Sequence, residues 1–237
     1  MKRICSLLII LLLAASCGGL PRIHPLNPSQ APELRKACDL PFPIGKWRFV
    51  HSVEATMLNR KGVLMGVTVI SPDENSVHCV MMTIEGFVLF DAQYDGNLVI
   101  NRGVPPFDAE SFAKGLMDDI RLTLFKPDGA FVGSGTLDSG TRVCRYQNAD
   151  GGMTDVIPHP PDAPDAAWEI RLYGGNAALK RKVTACPQPQ SSENQDTIPG
   201  KLEITAYGPL GYALTLELIQ AESLEPQKGH STSYSGM

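Results

Sequence analysis

The chain has 237 residues, with 21 Lys and Arg against 25 Asp and Glu for a formal net charge of −4, and 43% of its residues are hydrophobic. That length suits one large all-β domain or two small ones. The acidic balance disfavours nucleic acid as a partner and offers no polybasic patch for anionic lipid.

At the amino terminus Lys2 and Arg3 precede an unbroken apolar run from Leu7 to Ala15. This is the layout of a secretory signal. A spanning helix needs about 20 apolar residues, more than this run has. The run ends Leu13-Ala14-Ala15-Ser16-Cys17, which resembles the lipobox of bacterial lipoproteins: small residues ahead of an obligatory cysteine, departing from it at Ala14, where Leu is commoner. Residues 1–16 are accordingly expected to be a signal peptide, and Cys17 a lipidation point. The alternative, cleavage of the Ala-x-Ala type, leaves Cys17 as a free thiol. Lipidation implies a membrane partner through Cys17, held by several acyl chains where one binds only marginally. Gly18 in place of Asp favours the outer membrane, on its periplasmic face. Loss of Lys2 and Arg3 with the leader takes the net charge to −6.

Residues 17–44 carry Pro21, Pro25, Pro28, Pro32, Pro41 and Pro43 and read as a Pro-rich tether that lifts the folded part off the membrane. A helix of two or three turns around Ala31 to Cys38 fits within it. Outside the leader and Cys17, the cysteines are Cys38, Cys79, Cys144 and Cys186, an even number suited to an oxidising compartment. Their three possible pairings stay open, and none has Cys-x-x-Cys spacing.

From Trp47 the pattern turns to alternation: Trp47, Phe49, Val53, Ala55 and Met57 share one face, with Arg48, Ser52, Glu54 and Thr56 mostly on the other. This is the period of a half-buried strand. Further strands are predicted at Val63 to Ser71, Ser76 to Glu85, Phe87 to Tyr94 and Leu98 to Asn101, with turns at Ser71-Pro72-Asp73-Glu74-Asn75, Glu85-Gly86 and Asp95-Gly96-Asn97. Connections this short make an antiparallel meander. A helix follows, opened by Pro105-Pro106 and an Asp108 N-cap and closed at Lys126-Pro127. Its apolar face, Phe112, Leu116, Met117, Ile120 and Leu124, should cover the concave side of the preceding sheet.

Strands resume at Thr141 to Gln147, Met153 to Ile157, Trp168 to Tyr173, Leu179 to Ala185, Lys201 to Ala206 and Tyr212 to Gln220. About eleven strands in all predict a mainly β (α+β) fold whose antiparallel sheet curls strongly into a half-barrel or barrel. The β domain is placed at 45–221 and a flexible tail at 222–237.

No catalytic motif accompanies these elements. His51, His78 and His159 have no nucleophile elbow, zinc helix or Walker loop around them, and Gly133-Ser134-Gly135 and Ser139-Gly140 read as turns. On a strand His78 and Cys79 point to opposite faces, which argues against a soft-metal site with Met81 and Met82. Asp118-Asp119 reads as a solvated helix edge. Neither a metal nor a cofactor is expected, and the chain is read as not an enzyme.

Three stretches carry a resemblance: Gly86-Phe87-Val88-Leu89-Phe90 running to Tyr94-Asp95-Gly96; Pro105 through Asp118 to Phe125; and Ile198-Pro199-Gly200-Lys201-Leu202-Glu203-Ile204 with Gly211-Tyr212-Ala213-Leu214-Thr215-Leu216. Behind a lipobox, they resemble the LolA/LolB-like lipoprotein carriers, in an uncharacterised outer-membrane branch. The resemblance implies a curved sheet covered by helices, around an apolar cavity that takes an acyl chain of a lipid or lipoprotein. The lining residues it suggests are Trp47, Phe49, Phe87, Leu89, Phe112, Leu116, Ile120, Leu214 and Leu216. Each buried methylene contributes about 0.8 kcal/mol, so no catalytic group is needed. The competing functions are a structural or assembly lipoprotein whose apolar interior is only a core, and a hydrolase of envelope polymers.

Overall fold

The computed structural model describes residues 19–57, 60–160, 165–187, 198–209 and 211–224. The predicted leader, Cys17 and residues 225–237 of the predicted tail lie outside the described residues.

In chain order the elements begin with β1 (His24–Pro25), α1 (Ala31–Asp39), β2 (Trp47–Met57), β3 (Arg60–Ser71), β4 (Ser76–Met82), β5 (Val88–Tyr94), β6 (Leu98–Gly103) and α2 (Glu110–Leu124). They continue with β7 (Ala130–Thr136), β8 (Arg142–Gln147), β9 (Met153–Pro158), β10 (Trp168–Tyr173), β11 (Leu179–Cys186), β12 (Lys201–Ala206) and β13 (Tyr212–Ser223). The hydrogen-bonded order of these 13 strands is β1-β7-β8-β9-β10-β11-β12-β13-β2-β3-β4-β5-β6. Two expectations are corrected here. Among the described residues there are 13 strands instead of about eleven, their order is linear, with β1 and β6 left as ends, so no barrel closes, and the sheet is not strongly curled. The physical reason is that the strands serve two compact units, each with its own apolar cluster, so burial does not require the sheet to roll up.

One unit takes its residues from Met1–Pro41, Lys126–Pro187 and Leu202–Ala213. Here α1 packs on β7, β8 and β9 through Leu34 and Cys38, both buried, and Cys38 is disulfide-bonded to Cys144 of β8. Only one bridge forms among the described residues, and Cys79 and Cys186 are free thiols, so none of the three complete pairings is made. Several residues of the 17–44 segment make contacts in this unit. Ile23 packs on Leu137, Val143 and Ile157, β1 pairs with β7, and the Pro21 carbonyl accepts a hydrogen bond from Arg145 at 2.7 Å. Gly133-Ser134-Gly135, expected as a turn, lies inside β7, whose ladder is interrupted by an irregularity between Phe131 and Gly133. Ser139-Gly140 is a turn as read, with Gly140 at φ +81.

The other unit draws on Phe42–Phe125, Gln188–Lys201 and Leu214–Met237. Strands β2 to β6 form the predicted antiparallel meander, each paired with the next. Helix α2 packs on β4 and β6. Its N-cap is Ala109, one residue after the expected Asp108, and no side chain caps it. The backbone of Asp108 instead passes so close to Gly103 that a Cβ there would lie 2.7 Å from its Cα, so the return of the chain needs a glycine at the end of β6.

Candidate functional site

The registers of β2 to β6 place their inward side chains in cross-strand rows. One row is Trp47, Ile70, Val77, Tyr94 and Leu98; the next is Phe49, Thr68, Cys79, Ala92 and Ile100; a third is His51, Gly66, Met81, Phe90 and Gly103. Small or short residues (Gly66, Thr68, Cys79, Ala92) stand in these rows beside the large, fully buried Phe49, Ile70 and Phe90. Against them pack Ala113, Met117 and Leu124 of α2, with Phe125 and Ile198. Around this buried centre Trp47, Leu64, Tyr94, Leu98, Ile100, Phe107, Leu116, Ile120 and Leu218 touch the core yet stay only partly buried.

The expected lining residues divide. Phe49 is in the core, with the Trp47 ring stacked on it at 6.0 Å between centroids and 6° between planes. Leu116 and Ile120 flank the core, and Phe112 meets Phe107 edge-on at 5.1 Å. Leu214 and Leu216 are half-buried on β13, on the strand series that brings Leu218 to the core. Phe87 and Leu89 depart from the expectation. Phe87 belongs to the turn before β5, is 53% exposed, and lies under the Arg102 guanidinium at 5.1 Å. Leu89 falls at the register shift between the Met81–Phe90 and Met82–Val88 pairs, out of step with the inward Phe90, Ala92 and Tyr94. A shift of one position exchanges the two faces of a strand.

Sequence reasoning missed two buried groups. His51 lies on the inward side of β2 between Phe49 and Val53, only 6% exposed, and burial pushes its pKa down to about 4, so its ring is neutral at pH 7. Its alternation with Phe49 and Val53 was the available signal. Asp119, read as part of a solvated edge, is buried on α2, while Asp118 is exposed and paired with Lys114 at 2.7 Å. Cys79 is also buried, its thiol pushed up to about 12 mainly by burial, which makes it a poor nucleophile.

The three histidines do not assemble. His51 faces inward and His78 outward, where its Nε2 meets Asp91 at 2.9 Å, and His159 is exposed in the other unit. Hydrogen bonding from Asn101 and then His78 holds the Asp91 carboxyl below the usual range. In the other unit a row of charge crosses four strands in register, Arg145, Asp155, Arg171 and Lys182. Arg145 grips Asp155 with two hydrogen bonds of 2.6 Å, and buried Glu169 is flanked by Arg171 and Lys182. Every charge in this row is engaged in an ion pair, an arrangement suited to fixing strand register.

No family model matches the sequence, and no curated protein matches it. The fold does have counterparts among solved structures. A LolA superfamily protein from Nitrosomonas europaea superposes with a TM-score of 0.53 over 83% of this chain and 94% of its own, at 8% identity. The chain has a LolA-like fold. A domain assigned to outer-membrane lipoprotein sorting in Vibrio parahaemolyticus gives a TM-score of 0.46 at 8% identity, over 86% of this chain and 94% of that one. A DUF1329 family protein from Desulfovibrio piger gives 0.46 at 10%, over 81% and 90%. At these identities the LolA-like likeness is one of fold, and it agrees with the resemblance carried by the three sequence stretches.

Proposed function

We propose that this LolA-like protein is a non-enzymatic carrier or receptor for the acyl chain of a lipid or lipoprotein, anchored by lipid on Cys17 to the periplasmic face of the bacterial outer membrane. The observation that carries the reading is the ring of partly buried apolar side chains around the inner face of the meander. A core that only stabilises the fold gains most by burying such residues fully. Left half-covered around the buried core, they offer a hydrocarbon chain about 0.8 kcal/mol for each methylene removed from water. The lipobox supports the location, and the LolA-like fold supports the class.

Native mass spectrometry of the mature chain from residue 17, carrying Cys17→Ser, followed by solvent extraction, tests this directly. Acylated material should co-purify in stoichiometric amount and be lost in Leu116→Asp while circular dichroism stays unchanged. A ligand-free mass that persists after incubation with phospholipids and acylated peptides would sink the carrier and leave an assembly lipoprotein.

A further inference from the structure

In the unit that holds the Cys38–Cys144 bridge, Cys144 and Arg145 alternate on β8, so α1 covers one face of the sheet and Arg145 stands on the other. On Arg145's face the charged row runs across to Lys182, with Glu169 beside Arg171 on β10. The first described residues of the chain cross the β7–β8 end of this same face. Arg145 donates to the Pro21 carbonyl at 2.7 Å, and Ile23 packs on Val143 and Ile157. A Cβ on Gly135, the partner of Val143, would come within 2.6 Å of Ile23 Cγ2. Cys17 stands four residues before Pro21, so a chain running back to it starts from this face. The row is also unbalanced: Arg145, Arg171 and Lys182 meet only two carboxylates, Asp155 and Glu169, on a chain whose formal net charge is −4. Both carboxylates are fully buried, while the Arg171 and Lys182 side chains are 20% and 30% exposed. The two cations share Glu169, with Lys182 Nζ 2.8 Å from its Oε2. What this part of the row presents to solvent is therefore positive.

We infer that Arg171 and Lys182 form a headgroup contact: with the chain tied to a bilayer through Cys17, they meet the phosphates of the phospholipid surface beside the anchor. This rests on the lipid-anchor reading and adds to it the face that the bilayer meets. At about 4.8 Å per strand, the two cations stand on the order of 10–15 Å from Arg145, where the anchoring segment docks. A phosphodiester oxygen accepts charge-assisted hydrogen bonds from a guanidinium or an ammonium. Each cation near an anionic surface strengthens binding about fivefold. Two are too few to recruit a free chain, in keeping with the lack of a polybasic patch, but they suffice to orient one whose tether already holds it at the surface.

The test uses the chain from Gly18 onward with an N-terminal hexahistidine in place of Cys17, held on vesicles by a nickel-chelating lipid, so that it does not depend on lipidation in the cell. Dissociation constants are measured by surface plasmon resonance at low salt on phosphatidylcholine–phosphatidylglycerol vesicles and on vesicles of a galactolipid, which has no phosphate. Wild type should bind the phospholipid vesicles about fivefold tighter than Lys182→Met does. The two should be equal on the galactolipid, and equal on both at 1 M salt, where charges are screened within about 3 Å. Lys182→Arg should keep the wild-type affinity. Glu169 remains paired with Arg171 in Lys182→Met, so its circular dichroism should match the wild type. Equal affinities on phospholipid, or the same gap on galactolipid, overturn the contact. Should Lys182→Met fail to fold, acetylation of Lys182 in the tethered wild type, read by mass spectrometry, decides instead: protection on phospholipid but not on galactolipid upholds the contact, and equal labelling overturns it. The anchor is tested apart, by the intact mass of the full chain extracted from membranes. An unmodified Cys17 sinks the anchor and the contact built on it, whereas an acylated Cys17 with a null vesicle result sinks the contact alone.

Discussion

His51 loses its water on folding and gains no counter-charge, so the folded chain keeps it neutral down to about pH 4 while the unfolded chain protonates it near 6.5. Between those values the unfolded state binds more protons, so stability falls as pH falls, fully retained above 6.5 and lost on the way to 4. The shift corresponds to about 3 kcal/mol. Urea midpoints at pH 7.5 and 4.5 should show this loss in the wild type and a much smaller one in His51→Phe. Arg145 and Asp155 pose the opposite problem, two buried charges that satisfy each other. Arg145→Met strands a fully buried carboxylate and should cost about 3–5 kcal/mol in urea unfolding, most of it recovered when Asp155→Leu is added. At this scale the sequence was partly legible. The alternation of Trp47, Phe49 and Val53 marks the inward face of β2, and His51 holds the same phase although histidine carries no apolar signal. Arg145, Asp155 and Arg171 could not be matched from sequence, since their pairing depends on the registers of three strands.

Elements were legible where turn chemistry punctuated them. The meander from β2 to β6 follows from Asn75, Gly86 and Gly96, each with positive φ at its turn. Trp168–Tyr173 and Lys201–Ala206 fall within the bounds their composition suggested. β7 escaped because its glycines imitate a loop, and β1 because two residues carry no period at all. The register shift beside Leu89 is likewise invisible in composition, and it takes Leu89 out of step with the inward Phe90, Ala92 and Tyr94. Helix α1 was legible as two or three turns around Ala31 to Cys38, but its burial depends on partners far along the chain, above all Cys144. That disulfide spans 106 residues, so replacing Cys38 and Cys144 by Ser should lower stability by about 2–5 kcal/mol in urea titration. Leu34 would then hold α1 by apolar contact alone.

On the scale of the molecule, the apolar leader and the cysteine that ends it make a localisation prediction. The full chain should fractionate with outer membranes, and Cys17→Ser should shift it to the soluble or inner-membrane fractions, read by immunoblot of sucrose-gradient fractions. Composition and charge disfavour nucleic acid, yet they do not tell a hollow interior from a filled one. That distinction rests on how far individual side chains are covered, which only the assembled rows reveal.

With lipid on Cys17 as proposed, the docking of Pro21 on Arg145 would give the anchor a short leash. From Cys17 to Pro21 is four residue steps, a reach of at most about 14 Å even when fully extended. One headgroup layer takes up about 5–7 Å of that. A protein so tied cannot stand off and sweep the periplasm. On that proposal Pro21 and the unit it docks on stay near the lipid surface, and any cargo donor would have to come down to them.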